Sequence, residues 1–176
     1  MKKQEYDDRV KLALDFFKRA GIVIREDEEI EVADFGLGEV DKIGLELCVF
    51  VNTDRVCAKE MVLFPWQCCP EHKHVGCANG EGKEETFRCR YGRVYLYVEG
   101  EGRADAVSVE LPKTDVTVYK EVVLNPGEQY TIMPGTKHWF VGGAMGAVVS
   151  EFSTTSTDET DVFTDPRIRR QTVIED

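Results

Sequence analysis

His72-Lys73-His74, followed by Glu85 and Gly92 and later by Pro134-Gly135-Thr136-Lys137-His138, takes in every histidine of the chain. Alternate residues of a β-strand point to one face, so an H-x-H pair sets two imidazoles on one centre. A carboxylate from a neighbouring strand and a distant third imidazole complete a donor set of three nitrogens and one oxygen. Neutral imidazole with one carboxylate suits first-row divalent ions and leaves coordination positions open for substrate oxygens. Glu85 is favoured over Glu84, because adjacent strand residues face opposite ways and Gly92 follows Glu85 at a matching interval.

Outward from this stretch the chain reads as short strands. Apolar, β-branched runs at 43–51 and 55–64 flank Asn52-Thr53-Asp54, a hairpin signal. Further strands are expected at 87–91, 93–98, 107–111, 116–124, 130–133, 138–141 and 147–152. Many strands with regular turn signals and few helices indicate a sandwich, jelly roll or small barrel. One helix is expected at 5–20, where Tyr6, Val10, Ala13, Leu14 and Phe17 recur at helical spacing and Gly21 follows Lys18-Arg19. The expectation is a mainly β single domain spanning residues 1–176. It comprises the N-terminal amphipathic helix, a barrel over 43–153 and an extended tail over 154–176.

The formal net charge of −11 argues against nucleic acid and anionic membrane surfaces as partners. The N-terminal residues lack the apolar core of a signal peptide, and no run of apolar residues is long enough for a membrane span. Six cysteines, Cys48, Cys57, Cys68, Cys69, Cys77 and Cys89, form no C-x-x-C pair and read as small buried apolar residues. A cytoplasmic location is the expectation.

His72-x-His74 with Glu85 and Gly92 resembles the first motif of the cupin superfamily, with a longer interval before Glu85. Pro134-Gly135-Thr136-x-His138 resembles the second, with Gly142 in place of a common asparagine. The resemblance implies a jelly-roll β-barrel with His72, His74, Glu85 and His138 as metal ligands. Within the cupins, Phe64-Pro65-Trp66-Gln67, the stretches 71–88 and 130–139, and the polar run 150–161 resemble the D-lyxose isomerase family. That implies an aldose–ketose isomerase with manganese as cofactor (cobalt, iron, nickel and zinc being the alternatives). The substrate would be a monosaccharide, D-lyxose giving D-xylulose, with D-mannose giving D-fructose as a second reaction.

Such chemistry needs a carboxylate to carry a proton between two carbons. Glu151 follows an apolar run and matches the family's glutamate; Lys83 matches its lysine, on the expected strand face of Glu85. A tail acid is also implied, Asp161 or else Asp165. Trp66 and Trp139 are candidates for an apolar wall against a sugar, or for packing. The competing readings are an iron(II)-dependent dioxygenase and a non-catalytic sugar-binding or regulatory cupin. A homodimer is expected.

Overall fold

The computed structural model describes residues 1–76 and 80–175. Helix α1 (Lys3–Arg19) leads into β1 (Ile30–Ala33), β2 (Leu45–Asn52), β3 (Cys57–Leu63), β4 (Cys68–Lys73) and β5 (Glu85–Val98). These are followed by β6 (Lys120–Leu124), β7 (Gln129–Ile132), β8 (His138–Ser153) and β9 (Val162–Phe163). All are joined in one curled antiparallel sheet, the cupin jelly roll anticipated from the histidine motifs. No helix among the described residues is long and apolar enough to cross a membrane.

The organising unit is a long ribbon. β5 and β8 pair along their lengths, Glu85 opposite Ser153 and Val98 opposite His138, with irregularities at Cys89/Tyr91 and Gly92/Val94. Gly92 (φ 72°) and Gly146 (φ 71°) sit at the bend. A Cβ on Gly92 would meet the Gly146 carbonyl oxygen at 2.0 Å, so only glycine lets the two backbones cross so closely. One half of β8 pairs with β4 and the other with β3, which rolls the ribbon into a barrel.

On the face of the ribbon away from His138, Trp139 is fully buried, stacked on Tyr97 with ring centroids 3.9 Å apart, and its Nε1 donates to Val118 O at 2.8 Å. An aromatic buried with its polar tip satisfied keeps its full burial gain, roughly 1.5–3 kcal/mol for a large side chain. Helix α1 covers part of the outer face. It sets Ala13, Phe16 and Phe17 on Ile30, Cys48, Val62 and Val148, with Phe16 against Phe64 at 5.4 Å. Arg9 on the same helix reaches Glu46 of β2 at 3.2 Å.

The helix and the 52–54 hairpin lie where their sequence signals place them. The expected strands at 87–91 and 93–98 are one strand, as are those at 138–141 and 147–152, because the intervening glycines form bulges that bend the ladder without ending it. No strand forms at 107–111, and the expected 116–124 strand begins only at Lys120.

Candidate metal centre and acid–base cluster

His72 and His74 come from β4 and the residue just beyond it, His138 from the start of β8 and Glu85 from the start of β5. The three imidazoles each offer a ligand nitrogen, and these atoms lie within 4.8 Å of one another. Their orientation is fixed from behind. His72 Nδ1 lies 2.8 Å from Pro70 O and His138 Nδ1 lies 3.0 Å from Thr136 O, while His74 Nδ1 lies 2.5 Å from Asp161 Oδ1. An N–H donated to each of these oxygens leaves all three Nε2 lone pairs free for the centre, the usual arrangement behind metal-binding histidines.

Glu85 supplies the oxygen. Its Oε1 is 3.0 Å from His74 Nε2 and 3.0 Å from His138 Nε2. The contact to His138 is close but lacks hydrogen-bond geometry, so that buried nitrogen has no hydrogen-bond partner among the described residues. A buried orphan nitrogen aimed at a carboxylate and two more imidazoles fits a divalent ion between them, and the donor set suits the first-row metals that the motif implies. Burial, together with His138 and His74, holds His72 well below the usual imidazole range, in the neutral form that ligates. Burial alone would raise the Glu85 carboxyl, but the Lys83 ammonium beside it holds it well below the carboxylate range.

Behind the centre lies a second cluster. Lys83 precedes β5 rather than sharing its face as expected. Even so, its Nζ reaches Glu85 Oε2 at 2.7 Å and Glu151 Oε1 at 2.9 Å, and the side chain is buried. Burial disfavours its charge, but Glu85, Glu151 and Asp158 more than compensate and keep the ammonium well above its ordinary pKa. Glu151 also accepts from Ser153 Oγ at 2.9 Å and has Lys59 Nζ at 3.6 Å. Lys59 in turn reaches Ser156 Oγ at 2.8 Å and Asp158 Oδ2 at 2.5 Å, and Lys83 is 3.5 Å from Asp158 Oδ1. Lys59, Asp158, Lys83 and Glu151 thus form a ring of alternating charge, all four side chains lining the cavity that holds His72, His74 and Glu85.

The motifs of the chain do not bring out Lys59 and Asp158. Lys59 carries a signal all the same: it has the strand parity of the inward-facing Cys57, Met61 and Leu63. Asp158, in a tail of many acids and hydroxyls, carries none. Asp161 reaches the site through His74, which makes it a support for that ring; burial pushes its carboxyl up against the lowering effect of His74. Asp165 does not reach it. Its carboxylate accepts from Arg167 at 2.6 Å and from the Asp115 amide at 3.2 Å.

The tryptophans form no wall here. Trp139 is a core residue, and Trp66 stacks on Tyr95 at 6.4 Å beside a separate groove lined by Lys42, Leu111 and Lys113. Cys69 borders the cavity, but burial raises its thiol far above the thiolate range, which leaves it unsuited to ligate. Cys48, Cys57, Cys68 and Cys89 are likewise free and buried, and Cys77 lies outside the described residues.

A family model for D-lyxose isomerase matches residues 18–176. The chain is 55% identical over 176 residues to the D-lyxose ketol-isomerase of Cohnella laeviribosi, covering 98% of this chain and 95% of that one. To the D-lyxose/D-mannose isomerase of Thermosediminibacter oceani it is 57% identical over 180 residues, covering 99% and 97%. Among solved structures, the L-ribose isomerase of Acinetobacter sp. DL28 superposes with a TM-score of 0.76 over 99% of this chain and 98% of that one. At 18% identity this is a likeness of fold. Motif, barrel and relatives agree: the chain belongs to the D-lyxose isomerase family.

Proposed function

We propose that this protein interconverts D-lyxose and D-xylulose, and D-mannose and D-fructose, by proton transfer through an enediol. The observation that carries the reading is the buried Glu151 carboxylate, hydrogen-bonded to Lys83 at 2.9 Å and sharing one cavity with His72, His74 and Glu85. The names of the two curated relatives support the sugars.

An aldose becomes a ketose when one proton passes from C2 to C1 and the hydroxyl proton passes from O2 to O1, while the carbonyl moves the other way, from C1 to C2. Glu151 takes the C2 proton and returns it to C1, a task that suits a carboxylate held in place and shielded from water. Lys83 donates toward the oxygen on which negative charge develops, and its contact with Glu151 keeps both groups in register. Asp161 holds the His74 ring. A divalent ion held by His72, His74, Glu85 and His138, manganese in our reading, would supply the Lewis acidity that polarises the sugar carbonyl. A buried acid–base pair beside the metal ligands favours isomerisation over oxygen chemistry, which has less need of it.

A homodimer and a cytoplasmic location belong to the same proposal. Val51 and Phe152 stand in register across Ala58 on an outer sheet row, both 40–50% exposed, which gives a second copy an apolar seat. The free buried thiols suit a reducing compartment.

The test is NMR in D2O with the manganese-loaded protein and D-lyxose, D-mannose and other aldoses. Ketose formation with deuterium exchange is expected, lost on chelation and reduced by roughly 10²–10⁴-fold in Glu151→Gln. Metal binding without ketose or exchange from any aldose would overturn the reading.

A further inference from the structure

Residues 154–161, Thr-Thr-Ser-Thr-Asp-Glu-Thr-Asp, run over the acid–base cluster without one apolar side chain. Its attachments are all polar. Ser156 and Asn52 exchange two bonds of 3.0 Å, and Thr154 and Glu84 exchange two of 3.0 and 3.2 Å. Asp158 reaches in to Lys59 and Lys83 and has Arg170 Nη2 at 3.7 Å, and Asp161 reaches in to His74. A segment without apolar burial belongs to the weakly held part of a fold, where local opening costs least. By contrast, the flanking β8 and the β4–β9 pairing are anchored in the sheet.

Beneath this segment the cavity measures about 30 Å³, space for roughly a water or two. An open ligand pocket holds hundreds of Å³. The groups lining the cavity from the barrel side, Leu47, Met61, Phe87 and Phe140 among them, belong to strands and cannot withdraw. Asp158 and Asp161 of the polar segment lie outside the strands, as do Phe35, His74, Lys83 and Arg170; the segment is the stretch whose bonds to Asn52, Glu84 and the lysines can open without disturbing the sheet.

We propose that residues 154–161 form a gate, latched by Asp158 across Lys59 and Lys83, that lifts to admit substrate and recloses to set the two ammoniums against Glu151. Asp158 is a positioning residue: it holds the lysines where its partner carboxylate needs them, and its bonds are the ones an incoming polyol must exchange for its own hydroxyls. The identity of that polyol as an aldose rests on the isomerase reading; the opening itself does not.

Amide hydrogen exchange resolved by peptide on the metal-loaded protein tests this. In the wild type, amides of 154–161 should exchange well ahead of those of β3 and β8, and saturating D-lyxose should slow them. Asp158→Asn should accelerate exchange across the segment at least tenfold with the barrel strands unchanged, and lower kcat about tenfold. Asn52→Ala, which loosens the same segment away from the lysines, should accelerate exchange similarly while keeping most of kcat. Exchange unaltered in both variants, or rising only together with the barrel strands, overturns the gate. Fast, variant-sensitive exchange in a wild-type protein that isomerises no aldose would instead overturn the isomerase reading and leave the gate standing.

Discussion

Glu46 offers a sharp handle on stability. It is fully buried on β2, where its Oε1 accepts from Arg9 at 3.2 Å and from Gln67 at 3.3 Å, while its Oε2 has no partner among the described residues. Burial pushes its pKa up to about 7, and Arg9 and Gln67 pull it down only partway. A folded pKa above the unfolded one means that the folded chain holds the proton more tightly. The associated stability is therefore complete below the ordinary carboxylate range and is lost as pH rises through about 7. The gap from 4.5 to about 7 corresponds to about 3 kcal/mol at 1.36 kcal/mol per pH unit, of which roughly 2–3 kcal/mol is lost between pH 5 and 8.

Glu46→Gln keeps the volume and the amide-compatible contacts but cannot ionise. The unfolding free energy of the variant relative to wild type, from urea titrations at pH 5, 6, 7 and 8, should rise by about 2–3 kcal/mol across that range. All other titrating groups cancel in the difference. A flat difference refutes the raised pKa. A difference falling with pH would show that the attraction between Arg9 and Glu46 outweighs the cost of burying both charges, and the ion pair would then count as stabilising.

Two further outcomes follow from the geometry. Asp161→Asn removes the anionic support behind His74, so competition titration with a chromophoric chelator should show manganese affinity lower by roughly tenfold to a hundredfold with the barrel intact. Gly92→Ala forces a Cβ into the Gly146 carbonyl at a backbone angle unfavourable for alanine. It should destabilise the fold by at least about 2 kcal/mol in denaturant unfolding, where an ordinary exposed strand glycine gains or loses under about 1 kcal/mol.

The parts of this protein written in local periodicity are legible from the chain. The α1 stripe of Val10, Ala13 and Phe17 needs no partner to be recognised, and H-x-H declares its own face. Long-range geometry is not so written. Gly92 and Gly146 read locally as turns, and only the crossing of two backbones turns them into a bend inside continuous strands. β4 hides behind Pro70, a strand breaker by itself. Here it falls between Cys69 and His72, where the pairing to β8 is irregular and no ladder donor is missed. The histidines of the candidate metal centre are visible because the spacing within each motif is local. The charge ring is half visible, because Lys59 and Asp158 become neighbours only when the tail folds back over β3.

Laid straight, Glu85–Val98 spans roughly 45 Å at ~3.3 Å per residue. His138 pairs with the far end of that strand, yet Glu85 Oε1 lies 3.0 Å from His138 Nε2. Two donors of the same centre are therefore opposite ends of one ribbon, brought together by its curl. An ion held there would act as the clasp of a bracelet, resisting the unrolling of the sheet as much as serving the sugar. The distance between donors is then governed by residue count and bulge placement midway round the hoop. A single residue inserted near Gly92 would turn every side chain beyond it to the opposite face and part the clasp, far from any group that touches substrate. The connection between β5 and β6 lies beyond the ribbon's end and carries no such constraint, so length variation can collect there while the hoop keeps its circumference.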